Sequence, residues 1–504
     1  MTDRSNDIET RRYPIDFNFD NSYAENLKGF YAPFNGEVAP KPQLIKFNQT
    51  LADTLDLDFS NLSEQEIASV LSGGAVLKGA SPLAQVYAGH QFGGFSARLG
   101  DGRALLLGEV IDTSGARHDI HLKGSGRTPY SRGGDGKAAL GPVLREYILG
   151  EAMHALGIPT TRALAAIITG EDVYREKLLP GAVLARTASS HIRVGTFQYF
   201  AAQGDYDKVK QLADYTINRH FPSLKNSKKP YLELLHCVCD KQAILLAKWM
   251  QVGFVHGVMN TDNMTISGET IDYGPCAFID VYDPKAVFSS IDHQGRYAYE
   301  NQMPMAQWNL ARLAETLLPL IDEDADESVK LATVAIQEFA DKYRQHWIAG
   351  MCKKMGLSVV QEGDYELISQ LLTIMQVGRC DYTSSFRALS DAIDDGEGVK
   401  EFKALFNNAS DVDRWMQAWQ RRAKEEPLTS KARVDLMNSV NPLYIPRNHI
   451  IEAVLKAAES QADYEPFERL MHVLAKPFVK QSDAEDYTKP APNEFGAYKT
   501  FCGT

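Results

Sequence analysis

The chain has 504 residues, of which 44% are hydrophobic and 23% charged, as in ordinary folded globular proteins. Its net charge of −12 repels phosphodiester backbones and argues against a nucleic-acid partner. Six cysteines are too few for a disulfide framework, which predicts reduced thiols. Residues 1–13 are polar and no apolar run approaches the ~20 residues that span a bilayer, so we expect a cytoplasmic protein without a membrane partner.

The first half of the chain combines a glycine-dense segment with two predicted strands. Residues 1–80 read as a leader followed by a short helical region that docks on a larger core. Glycine then becomes dense, at Gly100 and Gly102 among others, which indicates backbone lying close to a ligand. Ala104–Ile111 and residues 119–123 have the apolar patterns of strands.

A long irregular segment separates these strands from a predicted helix. About seventeen residues rich in Gly, Ser and Arg follow Lys123, and loops of that length in compact domains are usually functional. Pro142 suits the first turn of a helix that carries Glu146. Residues 182–187 read as a strand containing Arg186, and Arg193 follows shortly after. Beyond about 205 the pattern is helical, apart from a strand-rich patch at 255–281.

The order of these features is typical of the small lobe of a protein kinase. A glycine loop and strand precede a second strand that ends in Lys123, whose charge could bind phosphate if a helical glutamate oriented it. Glu146 is the candidate glutamate. We therefore predict an α+β, protein-kinase-like fold with an N-terminal extension (1–80), a β-rich small lobe (81–200), a mainly helical large lobe (201–400) and a C-terminal helical region (401–504).

The second half supplies a catalytic-loop pattern with one departure. His256 is followed seven residues later by Asn263, as in the kinase loop, and Asp272 then begins an Asp-Tyr-Gly sequence. Asn263 and Asp272 carry the hard oxygen ligands that magnesium prefers. Val258 stands where kinases carry the catalytic aspartate, which leaves Asp262 as the nearby carboxylate.

Each of these residues also has a structural interpretation. Asp262 alone would be read as a turn residue, and only its place beside Asn263 and before Asp272 favours a base. Arg186 and Arg193 could be surface salt-bridge residues, or they could clamp a triphosphate.

Longer motifs resemble the selenoprotein O family. They are residues 87–93 (Tyr-Ala-Gly-His-Gln-Phe-Gly), 99–103 (Leu-Gly-Asp-Gly-Arg), 121–129, 256–263, 271–275, 292–297 (Asp-His-Gln-Gly-Arg-Tyr) and 308–310, with further matches at 441–442 and 447–448. The resemblance implies a kinase-like adenylyltransferase that binds ATP in a flipped orientation and transfers AMP to protein hydroxyl groups, with Mg²⁺ or Mn²⁺. Asp262 would be the base, and Asn263 with Asp272 the metal ligands. The nucleotide would be held by Gly100, Gly102, Arg103, Lys123, Asp135, Gly136, Arg186 and Arg193, with Asp272 and Glu146 alongside.

The resemblance has two departures and leaves competing functions open. The family's C-terminal cysteine or selenocysteine corresponds to Cys502 in a divergent setting, and residues 287–289 lack a cysteine that many relatives carry, for which Cys276 could substitute. The competing functions are a phosphotransferase that moves the γ-phosphate and an ATP-binding pseudokinase scaffold without turnover. UTP is a further possible donor.

Overall fold

The computed structural model describes residues 12–393, 396–407 and 409–501 of a mixed α/β protein. The strands are β1 Arg12–Asp16, β2 Tyr31–Pro33, β3 Gln43–Phe47, β4 Val76–Lys78, β5 Leu83–Gln85, β6 Gly89–Gln91, β7 Gly94–Ser96, β8 Ala104–Ile111, β9 Arg117–Lys123, β10 Ala138–Ala139, β11 Arg162–Tyr174, β12 Leu178–Ala188, β13 Phe254–Val255 and β14 Ala277–Phe278. The strand predicted at Ala104–Ile111 is confirmed, and its partner begins two residues before the predicted 119.

The helices lie mainly in the second half of the chain, as predicted. They are α1 Ser22–Asn26, α2 Gln49–Thr54, α3 Glu64–Leu71, α4 Leu140–Ala155, α5 Val194–Ala201, α6 Tyr206–His220, α7 Pro230–Val252, α8 Gln302–Ile321, α9 Ala325–Lys354, α10 Asp364–Gly378, α11 Tyr382–Asp391, α12 Gly396–Ala404, α13 Ala409–Ala423, α14 Ser430–Val440, α15 Asn448–Gln461 and α16 Glu465–Leu474. Short 3₁₀ turns include Thr261–Asn263.

The main sheet has the strand order β2-β5-β8-β9-β12-β11-β3, with β10 beside β12. Its strands pair antiparallel, and the register places Lys123 opposite Ala104 and Leu184. Successive side chains of a strand point to opposite faces, so Leu106 joins the core that includes α4, while Leu105 and Leu107 join a second core beneath α2 and α3. Both faces of β8 are therefore buried.

The first 80 residues, predicted as a leader and a short helical region that docks on the core, contain helices but also contribute strands to the main sheet. Tyr31–Pro33 and Gln43–Phe47 are strands of the main sheet, and β3 forms its edge against β11. Such short edge strands depend on ladder hydrogen bonds to residues distant in sequence, which local periodicity does not reveal.

The predicted strand-rich patch and helical C-terminus need smaller corrections. Only Phe254–Val255 and Ala277–Phe278 pair as strands in the patch. Helices run from 302 to 474, but the described tail beyond them holds only short 3₁₀ turns, and Thr500 pairs with Ser289 in a parallel bridge. No helix among the described residues is long and apolar enough to cross a membrane.

The described cysteines are free, as expected of reduced thiols. Cys237 and Cys239 lie on α7, where Cys239 is buried and Cys237 is partly exposed. Burial raises the pKa of Cys276 to about 12, which disfavours its reactive thiolate. Cys502 lies outside the described residues.

Candidate active site

A cleft of about 430 Å³ lies between the main sheet and the segment 258–275. It gathers residues that are far apart in sequence. Of the predicted site residues, those that line it are Gly100, Gly102, Arg103, Lys123, Asp135, Gly136, Arg186, Arg193, Asp262, Asn263 and Asp272. Glu146 lies on α4 and does not line the cleft itself. It binds the cleft residue Lys123.

Glu146 joins two cations at the back of the cleft. Its Oε2 accepts a hydrogen bond from Lys123 Nζ at 2.6 Å, and its Oε1 accepts one from Arg186 Nη1 at 2.6 Å. The helical glutamate therefore orients the strand lysine, as predicted. Both carboxylate oxygens are used, so the lysine and arginine are held at fixed positions.

Asp272 accepts hydrogen bonds from the same two cations and from a third, Arg193. Its Oδ1 accepts from Lys123 at 3.0 Å and Arg186 at 2.9 Å, and its Oδ2 accepts from Arg193 at 2.9 Å. Burial alone would raise the pKa of Asp272, but these three cations hold it well below its usual range. The carboxylate is thus ionised.

Arg186 and Arg193 are not surface salt-bridge residues. Each is only 2% exposed. Arg193 Nη1 also donates to the backbone oxygen of Asp262 at 2.7 Å, and its guanidinium stacks 4.5 Å from the centre of the Tyr87 ring. Burying such cations is costly unless anions compensate them, and Glu146 and Asp272 supply that compensation here.

The glycine-rich walls bring the backbone close to the cleft. Gly100 has φ +79, and a Cβ there would lie 2.5 Å from Tyr130 Cγ. Gly136 has φ +69, and its Cβ would lie 2.0 Å from Gly126 O. Glycine is required at both positions. Nearby, Arg103 Nη1 is buried and has no hydrogen-bond partner among the described residues. A buried donor of this kind suits a site that binds an anionic ligand.

Asp135 is paired with an arginine that the sequence did not single out. Arg175 Nη1 and Nη2 donate to its two oxygens at 2.7 and 3.1 Å. Burial opposes ionisation, but Arg175 and the Lys137 backbone amide together lower the pKa of Asp135. Arg175 lines the cleft and adds a cation at its outer end.

Asp262 differs from the other carboxylates in the cleft. It lies on the 3₁₀ turn Thr261–Asn263 and is only 7% exposed. Burial raises its pKa to about 6, although Arg193 acts in the opposite direction. Its Oδ1 is buried without a hydrogen-bond partner among the described residues. A carboxylate with one unsatisfied oxygen and a pKa near neutrality suits a general base.

A hairpin of β6 and β7 holds the turn that carries Asp262. Gln91 Nε2 donates to Asp262 Oδ2 at 3.2 Å. The backbone amide of His90 donates to Thr261 Oγ1 at 2.7 Å, and that of Phe92 donates to Asn260 Oδ1 at 3.1 Å. Residues 87–93 are one of the motifs behind the resemblance, but no local pattern in them indicates contact with a turn 168 to 171 positions away.

Gly89 leaves the space that Asp262 occupies, and an alanine there tests the fit. A Cβ at Gly89 would lie 2.4 Å from Asp262 Oδ1, whereas one at Gly94, on the paired strand, would meet nothing closer than 3.5 Å. We expect Gly89→Ala to lower group transfer by about tenfold to a hundredfold, because small displacements of reacting groups carry costs of that order. The measurement is the initial transfer rate. Equal rates in Gly89→Ala and the control Gly94→Ala would contradict this packing.

The hydrogen bond from Gln91 predicts a change in pH dependence. Below about pH 6 Asp262 is protonated and unable to accept a proton, so wild-type activity falls as pH is lowered through that value. The Gln91 bond favours the ionised form, so Gln91→Leu raises the pKa of Asp262 and moves this acid limb to higher pH. A pH–rate profile checks this. An unmoved or downward-shifted limb would contradict it.

Buried cations beside a carboxylate that can accept a proton give this cleft the character of an enzyme that transfers a group from an anionic donor. The family model described as protein adenylyltransferase SelO matches residues 14–475, so the chain belongs to the SelO family. The protein nucleotidyltransferase YdiU of Rhizobium johnstonii is 54% identical over 497 residues, 99% of each chain. Proteins of the same name from Rhizobium meliloti and Cereibacter sphaeroides are also 54% identical and cover 97% of this chain. The chain is therefore a nucleotidyltransferase.

Proposed function

We propose that this protein transfers AMP from ATP to Ser, Thr or Tyr hydroxyl groups of other proteins and releases pyrophosphate. UTP is a second donor that the same cleft could accept. The observation that carries the proposal is the unsatisfied, buried Oδ1 of Asp262 in a cleft whose kinase-type aspartate position is Val258. Valine is unable to accept a proton, so Asp262 takes that role.

The positions of the cations support a flipped orientation of ATP. We propose that the γ-phosphate occupies the inner end of the cleft, where Lys123, Arg186 and Arg193 are held by buried carboxylates. Arg103 and the glycine backbone then contact the remaining nucleotide. In this arrangement the α-phosphate faces Asp262, and the three cations at the inner end stabilise the negative charge of the departing pyrophosphate.

The residues present fit a magnesium ion, with manganese as a substitute. Asp272 is ionised, and Asn263 Nδ2 donates to Val258 O at 3.1 Å, which leaves its Oδ1 as a ligand. Among the described residues no group of three or more His, Cys, Asp or Glu side chains could hold a metal alone. Magnesium is commonly bound by one or two protein oxygens together with substrate phosphates, so Asn263 and Asp272 would suffice. When bound, the ion would neutralise charge on the phosphates.

The reaction then needs one proton transfer and one displacement. Asp262 accepts the proton of the acceptor hydroxyl, and the resulting oxygen forms a bond to the α-phosphorus. The bond from the α-phosphorus to the oxygen that bridges to the β-phosphorus breaks, and that oxygen leaves as part of pyrophosphate. Lys123, Arg186 and Arg193 hold the leaving group.

The proposed fold is the kinase-like, two-lobed arrangement expected from the sequence. The small lobe would be the main sheet with α4, including two strands from the first 80 residues, and the large lobe would begin near residue 201. Residues 401–504 would form the C-terminal region. The cleft between the main sheet and the segment 258–275 supports this proposal.

Two preparations of ATP test the proposed function. Purified protein is incubated with magnesium, protein substrates and ATP labelled at either the α- or the γ-phosphate. Label from the α-position alone is expected on the acceptor, and unlabelled UTP should compete. Label from the γ-position alone would show a phosphotransferase. Absence of both labels would favour an ATP-binding scaffold.

A further inference from the structure

A cationic and aromatic surface lies outside the cleft lining and includes His90, the sequence neighbour of the lining residue Gln91. Two guanidinium groups lie close to the ring of Trp308, with Arg296 Cζ 4.9 Å and Arg312 Cζ 5.0 Å from its centre. The His90 ring meets the same indole edge-on at 5.1 Å, and the exposed Phe95 packs 4.9 Å from His90. We call these five residues the Trp308 patch.

The patch is attached to the turn that carries the base. His90 and Phe95 belong to the β6–β7 hairpin, whose backbone binds the 260–262 turn. On the other side, Tyr297 follows Arg296 directly and donates its hydroxyl to Asn260 Oδ1 at 2.8 Å. Two sides of the patch are therefore anchored to the turn that carries Asp262.

The two arginines lack strong anionic partners. Arg312 pairs with Glu315 at 2.6 Å, but that glutamate is 52% exposed, and pairs of this kind contribute little. The nearby Asp292 is turned away from the Arg296 side chain, because its oxygens accept from the backbone amides of Arg296 and Tyr297. The Nε atoms of both arginines are buried without hydrogen-bond partners among the described residues.

The surroundings favour an anionic partner at this surface. Burial lowers the pKa of His90, and the two guanidinium groups lower it further, so the imidazole is neutral near pH 7 and the arginines carry the charge. The two arginines make this surface locally positive although the chain has a net charge of −12. A positive surface of this kind attracts negatively charged groups. Planar guanidinium groups match carboxylates, and aromatic rings bury the adjacent apolar atoms of a peptide.

We propose that the Trp308 patch binds an acidic segment of the protein substrate next to the acceptor hydroxyl. Carboxylates of the substrate pair with Arg296 and Arg312, while Phe95 and Trp308 cover the peptide backbone. The patch thereby selects which hydroxyl groups reach Asp262. This inference rests on the proposed function, because the bound segment is the acceptor in that reaction.

A peptide library tests the inference with the full-length enzyme. Each peptide carries one Ser, Thr or Tyr between randomised positions, and α-labelled products are sequenced. We expect Asp and Glu beside the modified hydroxyl to be enriched about tenfold, the equivalent of one charge-assisted contact. The double variant Arg296→Gln, Arg312→Gln should lose this enrichment. The control Arg344→Gln, which removes another arginine that stacks on an aromatic ring at 4.5 Å, should keep it.

The outcomes separate the two proposals. Labelling without enrichment of acidic residues, or enrichment that persists in the double variant, would overturn the docking proposal and leave AMP transfer standing. Labelling of neither peptides nor proteins from α-labelled ATP would overturn the proposed function and the docking proposal with it.

Discussion

Asp262→Asn is expected to lower AMP transfer by about 10²- to 10⁴-fold, the usual contribution of a general base. Asparagine has nearly the same shape and can still accept the hydrogen bond from Gln91, but it is unable to take up a proton. ATP affinity should stay close to that of the wild type, because we propose that the triphosphate contacts Lys123, Arg186 and Arg193. Initial rates with α-labelled ATP, together with ATP binding by calorimetry, check both parts.

Stability measurements with the same variant exclude misfolding as the cause. The folded-state pKa of Asp262 is raised to about 6, so Asp262 ionises less readily in the folded protein than in the unfolded chain. Above about pH 6 the ionised carboxylate therefore lowers the free energy of unfolding. A neutral asparagine avoids this cost. Above pH 6 the variant should therefore unfold at a denaturant concentration no lower than the wild type does. Retained activity in Asp262→Asn would contradict the assignment of the base.

The second large effect is expected from Glu146→Gln, which should lower the free energy of unfolding by about 3–5 kcal/mol. Glu146 is 6% exposed and binds Lys123 and Arg186 at 2.6 Å each, so its neutralisation leaves buried cations short of negative charge. Transfer activity should fall as well, because Lys123 loses its orientation. Denaturant unfolding monitored by fluorescence measures the change.

Glu171→Gln is the matched control for this prediction. Glu171 accepts from Lys137 at 2.5 Å, but the two side chains are 30% and 24% exposed. Solvent screens such a pair, so we expect a loss below about 1 kcal/mol. Equal losses in the two variants would show that the Glu146 network contributes no more than a surface ion pair.

The sequence predicted features whose signals are local. Ala104–Ile111 is an uninterrupted apolar run, and Lys123 and Glu146 lie on adjacent elements with kinase-like spacing. Residues whose roles depend on distant partners were missed. Arg175 reaches Asp135 across 40 positions, and Gln91 reaches Asp262 across 171. No local pattern identifies such pairs, because the fold alone brings them together.

The burial of Arg186 and Arg193 shows the same limit. In sequence each could equally be an exposed arginine, and the choice depends on the carboxylate that meets it. Asp272, 86 and 79 positions away, supplies that partner. The sequence shows that Val258 stands where kinases carry the catalytic aspartate. Only the fold shows that the backbone oxygen of Val258 accepts a hydrogen bond from Asn263.

The orientation of ATP in the cleft decides between AMP transfer and phosphate transfer, and a crystal structure with magnesium and a non-hydrolysable ATP analogue measures it directly. For AMP transfer we expect the α-phosphorus to lie nearest to Asp262 Oδ1 and the γ-phosphate to contact Lys123, Arg186 and Arg193. A γ-phosphorus beside Asp262, with the nucleoside at the inner end of the cleft, would contradict it.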